Sequence, residues 1–375
     1  MKIFKSNSRG GAPDYIILFG TFLLIIIGLA IFTSASSDLG KLKFNDSYYY
    51  LKHQLIYGLS VGTVLFWLAS KFYYKNYQKF AVILLLFTFI LLVLVLFTPL
   101  GKASGGSLRW LKIGPLVFQP SELLKITFII YLASWLSDKT HRLESFWKGF
   151  LPFLIICGLT ALLLIFQPST SAAVILMLTA VIMYFFSGAK FSFIISTVIL
   201  GLAGFFIISY LTPYRWERLT SFLNPDANTQ TSSYQITWAR IAIGSGGLWG
   251  KGFGQSTTKL HYLPQPIDDS IFAIIAEELG FIGALFIILI FVFIIIRSFL
   301  LAKKTGDKFG QLLLIGFGTL IGLQTFMHIG AISGLIPLTG IPLPYISYGG
   351  TALAIFMAIS GIMVNISKTH LNNRL

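Results

Sequence analysis

The sequence predicts an all-α polytopic membrane protein of ten transmembrane helices, and three observations carry that prediction. Of its 375 residues, 55% are hydrophobic and only 11% charged, whereas a soluble domain carries about 25% charged residues. The apolar residues gather into runs long enough to cross a ~30 Å hydrocarbon core. Most of the charges fall between those runs. Residues 1–375 therefore read as a single membrane domain, with residues 1–12 a cytoplasmic tail. A formal charge of +15 in a soluble protein would raise nucleic acid as a partner. Spread over interhelical links, it fits topology and anionic lipid instead.

The first run, 14–34, has the basic start and small-residue exit of a signal peptide. At about 20 residues it is longer than a signal core of roughly 7–15 residues, so a retained helix is expected. Nine further spans are centred on 53–70, 80–99, 121–137, 149–166, 171–187, 191–211, 270–298, 309–331 and 349–367. Those at 121–137 and 149–166 are short, which favours little tilt. An even count puts both termini on one side. With the termini inside, 16 of the 28 lysines and arginines are cytoplasmic, among them Lys2, Lys5, Arg9, Lys139, Arg142 and Arg374. Five of the others sit in the 212–269 segment, where the positive-inside rule weakens because the loop is long. Both termini are thus expected in the cytoplasm, with 212–269 a large extracytoplasmic loop between helices 7 and 8. Outer segments 100–120 and 212–269 are rich in Gly, aromatic and basic residues, and the uncharged outer link 332–348 carries Pro337, Pro342 and Pro344. Function is expected on the outer face. No internal repeat or matched pair of broken helices of the transporter kind is visible.

The acids at the end of the large loop need explaining. Asp269 falls at the start of the eighth helix, where a carboxylate is favoured by free amides and the helix dipole. It reads either as an N-cap or as a functional acid. Asp269, Ala273, Ala276, Gly280 and Ala284 recur at helical spacing, a small-residue stripe that suits close packing in a bundle. Asp268 is rotated by about 100° and faces the loop. Glu277 lies about 12 Å deeper, beyond the ~5–9.5 Å separation of paired glycosidase carboxylates. Glu277 and Glu278 are therefore expected to fix packing.

The fourth helix opens with Pro120 and Glu122, ordinary start signals. Lys125 lies one turn in, on the face of Glu122. Arg109 and Lys112 lie just upstream with Trp110. Three cations on one cavity would suit a phosphate or diphosphate; an interfacial belt is the competing reading. The Gly-rich run 241–259 fails as a phosphate loop, because Gly252 follows Lys251 and Ser245 replaces the first Gly. The single Cys157 makes no intrachain disulfide, and with isolated His261 and His328 it forms no metal-ligand pattern. No Ser-His-Asp arrangement is legible.

Five segments, GGSLRWLKIGPLVFQPSELLK, YRWERLTSFLNPD, SSYQITWARIAIGSGGLWGKGFGQS, LPQPIDDSIFAIIAEELGFIG and GLIPLTGIPLPYISYGG, resemble the FtsW/RodA (SEDS) family of bacterial cell-wall polymerases. The resemblance runs in order from Pro13-Asp14-Tyr15 to the last helix. It implies a ten-helix peptidoglycan glycosyltransferase that polymerises lipid II on the outer face of the cytoplasmic membrane. The implied partners are a class B penicillin-binding protein and other divisome or elongation membrane proteins. It places the family's essential acid on Asp269, and the family's Arg-Trp and QPSE-x-x-K positions on Arg109, Trp110, Gln119, Pro120, Ser121, Glu122 and Lys125.

Three positions depart from the family pattern. Gln167-Pro168-Ser169-Thr170-Ser171 lacks the usual acid, so that link is assigned no role. Asp268 replaces a frequent Thr, making it a second candidate acid. His328 replaces a usual Asn. The YYYLKHQL and DSIF forms resemble the division branch more than the elongation branch. The expected chemistry has Asp269 as base, with undecaprenyl pyrophosphate leaving with inversion and Arg109 and Lys125 stabilising it. A divalent cation, Mg or Mn, is an optional assistant with no visible ligand set. A lipid II flippase and a non-catalytic scaffold remain the rival classes.

Overall fold

The computed structural model describes residues 11–104, 107–114, 116–138, 143–223 and 232–370. The basic residues Lys2, Lys5, Arg9, Lys139, Arg142 and Arg374 used above for topology lie outside the described residues, as does the middle of the 212–269 segment.

The helices are α1 (Tyr15–Phe44), α2 (Tyr49–His53), α3 (Val61–Lys71), α4 (Lys75–Phe97), α5 (Pro120–Ser137), α6 (Leu151–Phe166), α7 (Thr170–Ser187), α8 (Phe191–Leu211), α9 (Pro213–Leu223), α10 (Ser232–Ser245), α11 (Thr258–His261), α12 (Ile271–Lys304), α13 (Lys308–Ser333) and α14 (Gly350–His370). A π-helical stretch, Gln54–Ser60, joins α2 to α3, and a second, Phe146–Phe150, leads into α6. Among the described residues eight helices are long and apolar enough to cross a membrane: α1, α4, Phe146–Phe166, α7, α8, α12, α13 and α14. The predicted spans at 53–70 and 121–137 are helical as well, but one carries the π turn and the other buries Glu122 and Lys125.

Helix ends follow local chemistry. Asp14 caps α1 by accepting from Ile17 N, and Asp307 caps α13 by accepting from Gly310 N at 2.9 Å. Such caps satisfy amides that the helix leaves free. α13 and α14 are buried along most of their length and form the axis of the bundle, whereas α8 is almost wholly exposed.

The two long segments expected on the outer face are not plain loops. Strands β1 (Gly101–Ser104), β2 (Ser107–Ile113) and β3 (Leu116–Phe118) form a three-stranded antiparallel sheet in the order β1-β2-β3. Trp110 pairs with Lys102 and Leu111 with Phe118. Leu111 is buried against Leu91 and Val95 of α4, which seats the sheet on the bundle. The 212–269 segment holds α9, α10 and α11, and α10 packs on α12 and α13. The described parts of the large loop therefore form a built layer over one end of the bundle.

Candidate active site

The site is organised by a break in α12 that the apolar pattern did not reveal. Gly280 has φ 68° and ψ −170°, so the helix stops there and restarts. The Gly-rich loop fills the break. Lys251 N donates to Glu277 O and Gly252 N to Glu278 O, at 2.9 and 3.1 Å. Phe281 N and Ile282 N donate to Gly247 O and Leu248 O. Backbone groups freed inside a membrane protein need such partners. A Cβ on Gly250 would lie 2.2 Å from Glu278 O, and one on Gly280 2.3 Å from Gly250 N. No side chain fits at either position.

Glu277 and Glu278 bolt the same loop down. Glu277 accepts from Lys251 Nζ and Ser256 Oγ, each at 2.6 Å, from Thr257 N at 3.2 Å and from Thr258 Oγ1. Glu278 accepts from Ser34 Oγ at 2.6 Å and from Lys259 Nζ at 3.0 Å. Both intramembrane acids thus have the packing role expected of them. The small stripe is buried, but so are Ile271, Phe272, Ile274 and Ile275 beside it. The first half of α12 is enclosed on every face, and it carries the acid turn at its head.

Asp269 is not the N-cap of α12. Ser270 holds that place, its side chain capping nothing, and Asp269 lies one residue further out. The turn is fastened from three directions. Gln265 adopts a left-handed conformation, and its carbonyl accepts from Asp268 N and Ser270 N. Gln235 of α10 donates to Ser270 Oγ at 2.9 Å, and Ser270 Oγ donates to Pro264 O. From the 334–349 link, Ser347 Oγ donates to Asp268 O at 2.8 Å and Tyr348 N to Ile267 O at 3.0 Å.

The two acids face different company. Asp269 lies within electrostatic reach of Arg218 and Arg109. A Cβ on Gly340 would lie 3.4 Å from Asp269 Oδ2 and 3.7 Å from an Arg218 terminal nitrogen, so both groups address one spot beside that glycine. Among the described residues no hydrogen bond or ion pair engages the Asp269 carboxylate. Burial raises its pKa above the ordinary aspartate value, while Arg218 and then Arg109 pull it back. Asp268 lies instead among Tyr50, Tyr348 and Lys43. Burial, then the charge of Asp269, push its pKa up to about 7, against a smaller opposing pull from Lys43.

The predicted cation trio does not assemble. Strand alternation puts Arg109 on the face of buried Leu111 and turns Lys112, which is exposed, to the other side with Trp110. Lys125 is buried between α5, α13 and α14. Its Nζ donates to Glu122 Oε1 at 2.7 Å and Gln324 Oε1 at 2.9 Å, and stands 5.6 Å from the centre of the Phe356 ring. Gln119 precedes α5 without a side-chain cap, its amide donating to Thr351 Oγ1 at 3.4 Å. Lys125 and Glu122 are thus held inside the bundle, and Gln119 is half-buried at its edge. Lys125 reaches the site through Gln324, whose Nε2 donates to Pro342 O at 2.8 Å, while His328 Nδ1 on the same helix is 2.7 Å from Ile341 O. Those two carbonyls lie in the same link as Gly340.

The second cation at Asp269 is Arg218, which the sequence reading passed over. It is aimed by a bond to Leu338 O at 3.2 Å, by the Tyr214 hydroxyl, and by stacking 4.5 Å from the centre of the Tyr214 ring. The i, i+4 spacing of Tyr214 and Arg218 was the available signal. The 167–171 link, assigned no role, turns out to hold the site from both sides. Arg109 donates to Gln167 O at 3.3 Å and to Pro168 O, and Ser171 Oγ donates to Thr339 O at 2.6 Å. Backbone carbonyls do most of that work, so a missing acid says nothing about it.

Among the described residues no group of three or more His, Cys, Asp or Glu side chains converges. Asp268 and Asp269 supply two carboxylates, but cations of the protein already stand near each, Lys43 at Asp268 and Arg218 and Arg109 at Asp269, which does not fit a cation site built by the protein alone.

The sequence pattern of the FtsW, RodA and SpoVE family, described as cell cycle proteins, matches residues 15–372. Over 362 residues the chain is 37% identical to stage V sporulation protein E of Bacillus subtilis, covering 96% of this chain and 99% of that one. It is 35% identical over 354 residues to a probable peptidoglycan glycosyltransferase FtsW of a Geobacter species, covering 94% and 96%. A chain from a solved structure described as the structural coordination of polymerization and crosslinking by a peptidoglycan synthase complex shares the fold, with TM-score 0.79 at 23% identity over 95% of this chain and 98% of that one.

Proposed function

The chain belongs to the FtsW, RodA and SpoVE family, and from that membership we propose a peptidoglycan glycosyltransferase that works in cell division. Its substrate is lipid II, presented on the outer face of the cytoplasmic membrane to a ten-helix domain with both termini inside. A class B penicillin-binding protein is the proposed transpeptidase partner. The relative described as part of a peptidoglycan synthase complex supports that pairing.

The observation that supports this reading best is one carboxylate, Asp269, partly buried beside two guanidinium groups and engaged by no hydrogen bond among the described residues. A raised proton affinity suits a general base. In the proposed step Asp269 takes the proton from the acceptor sugar's 4-hydroxyl. That oxygen bonds to the anomeric carbon of the donor as the bond from that carbon to the diphosphate oxygen breaks, with inversion. The electron pair leaves on the lipid diphosphate, whose charge Arg109 and Arg218 receive in planar, directed contacts. Lys125 and Gln324 hold the link that carries Gly340.

Asp269→Asn should lower polymer formation by the purified pair roughly 10²–10⁴-fold while leaving the melting temperature near wild type. Near-normal polymer would end the assignment. The break in α12 is a feature of transporters too, which favours lipid II flipping as a second reading. Here the Gly-rich loop fills the break, leaving no unwound backbone free for a substrate. Lipid II supplied already on the outer leaflet of vesicles separates the two: an enzyme polymerises it and a flippase does not.

A further inference from the structure

The outer end of the bundle carries a contiguous wall of rings next to the acid turn, and the mechanism above leaves it unused. Tyr50 meets Tyr348 edge-on at 5.6 Å between ring centres, and Tyr348 stacks on Phe32 at 5.6 Å. Tyr49 and Phe44 extend the wall on the Tyr50 side. The wall is polar at its tips. The Tyr348 hydroxyl lies 3.0 Å from His53 Nδ1, the Asp268 carboxylate is within electrostatic reach of Tyr348 and Tyr50, and Lys43 is within reach of Asp268.

Two features separate this cluster from rings that merely sit at the membrane surface. First, it is fastened to the acid turn: Tyr348 N donates to Ile267 O, and Ser347 Oγ to Asp268 O. Tyr348 is therefore held in a fixed relation to the two acids. Secondly, it lies on the Asp268 side, while both guanidinium groups lie on the Asp269 side. The turn thus divides an anion-binding half from an aromatic half. A pyranose ring presents C–H groups on its faces and hydroxyls around its rim. An aromatic face flanked by a carboxylate and an ammonium matches that pattern, since each partner meets the part of the sugar it complements.

We propose that Tyr50 and Tyr348, with Asp268 and Lys43 at their edge, form a saccharide subsite that holds the acceptor sugar against the turn. The proposal rests on the glycosyltransferase reading and gives the site a direction: acceptor sugar on the Tyr348 side, donor diphosphate on the Arg109–Arg218 side. It also gives Asp268 a role distinct from that of Asp269, namely hydrogen bonding to a sugar hydroxyl. An acid there replaces the Thr expected from the family pattern, and both side chains can serve that purpose.

The test uses the purified full chain with its transpeptidase partner, varying the lipid II concentration. Tyr50→Leu should raise KM about tenfold with kcat changed less than twofold, and Tyr50→Phe, which keeps the ring, should restore wild-type KM. A second measurement avoids turnover. On the Asp269→Asn background, a soluble disaccharide fragment of the glycan, lacking lipid and diphosphate, should bind. Tyr50→Leu should weaken that binding at least fivefold, and Arg109→Gln should not. Wild-type KM for Tyr50→Leu, or a fragment whose binding ignores Tyr50, overturns the subsite. Those results would leave the catalytic assignment standing if Asp269→Asn is inactive. Polymer from Asp269→Asn would instead remove the reading on which the subsite rests.

Discussion

Adjacent residues of one turn have been given opposite surroundings. Asp269 is opposed by two guanidinium groups, while Asp268 has aromatic neighbours and only Lys43 to offset burial and the charge of Asp269. The folded pKa of Asp268, about 7, stands above its ordinary value of 3.8. A group shifted that way binds a proton on folding, so its stabilising contribution is complete below the ordinary value and is lost as the pH rises through the folded one. Removing the charge should therefore help most under alkaline conditions. The melting-temperature advantage of Asp268→Asn over wild type should grow from about pH 5 to about pH 8; a constant gap would contradict the assigned environment. At this scale the sequence was legible in part. It picked out Asp269 and Arg109, but not Arg218, because the group opposing an acid across a site need not lie near it in the chain.

The element that matters most is the broken α12 with its inserted loop. Nothing in the run 270–298 shows the break, since glycines such as Gly280 and Gly283 are common inside membrane helices. The Gly-rich run was readable as a tight outer loop, but not its destination, which depends on Gly246, Gly250 and Gly280 meeting backbone across the break. Gly280→Ala should cost about 1–3 kcal/mol from the positive-φ, extended-ψ backbone alone, with the overlap on Gly250 N added to it. The expected readout is a lower melting temperature together with faster proteolysis of residues 246–254. Wild-type behaviour in both would mean that the loop does not occupy the break. The short sheet was equally hidden, and its alternation decides that Arg109 points at the site and Lys112 away.

On the scale of the whole molecule, the helix ends opposite the acid turn are tied as firmly as those beside it. Arg297 of α12 donates through Nε and a terminal nitrogen to Asp14 Oδ2, at 2.8 and 2.7 Å, and Asp14 N donates to Ser367 Oγ of α14. This joins α1, α12 and α14 at the end opposite the acid turn. Asp14 keeps 3% of its side chain exposed and Arg297 27%, so Arg297→Met leaves a buried carboxylate without its partner. The expected cost is about 3 kcal/mol, the low end for such pairs, read as a drop in melting temperature with KM for lipid II unchanged. A variant as stable as wild type would show that the pair contributes little.

By itself the sequence determined that this chain is a multi-pass membrane protein, roughly where its long apolar helices lie, which family it belongs to, and that the acids of 263–280 divide into a turn pair and a packing pair. Those properties follow from hydropathy, helix caps and local spacing, all written along the chain. Only the tertiary structure decided which cations stand at Asp269, that Lys125 serves the bundle and the 334–349 link, and that Asp268 faces a wall of rings. Those are meetings of residues far apart in the chain, brought together by an inserted loop, a strand's alternation and a helix break. Each depends on backbone geometry and packing that no local pattern encodes.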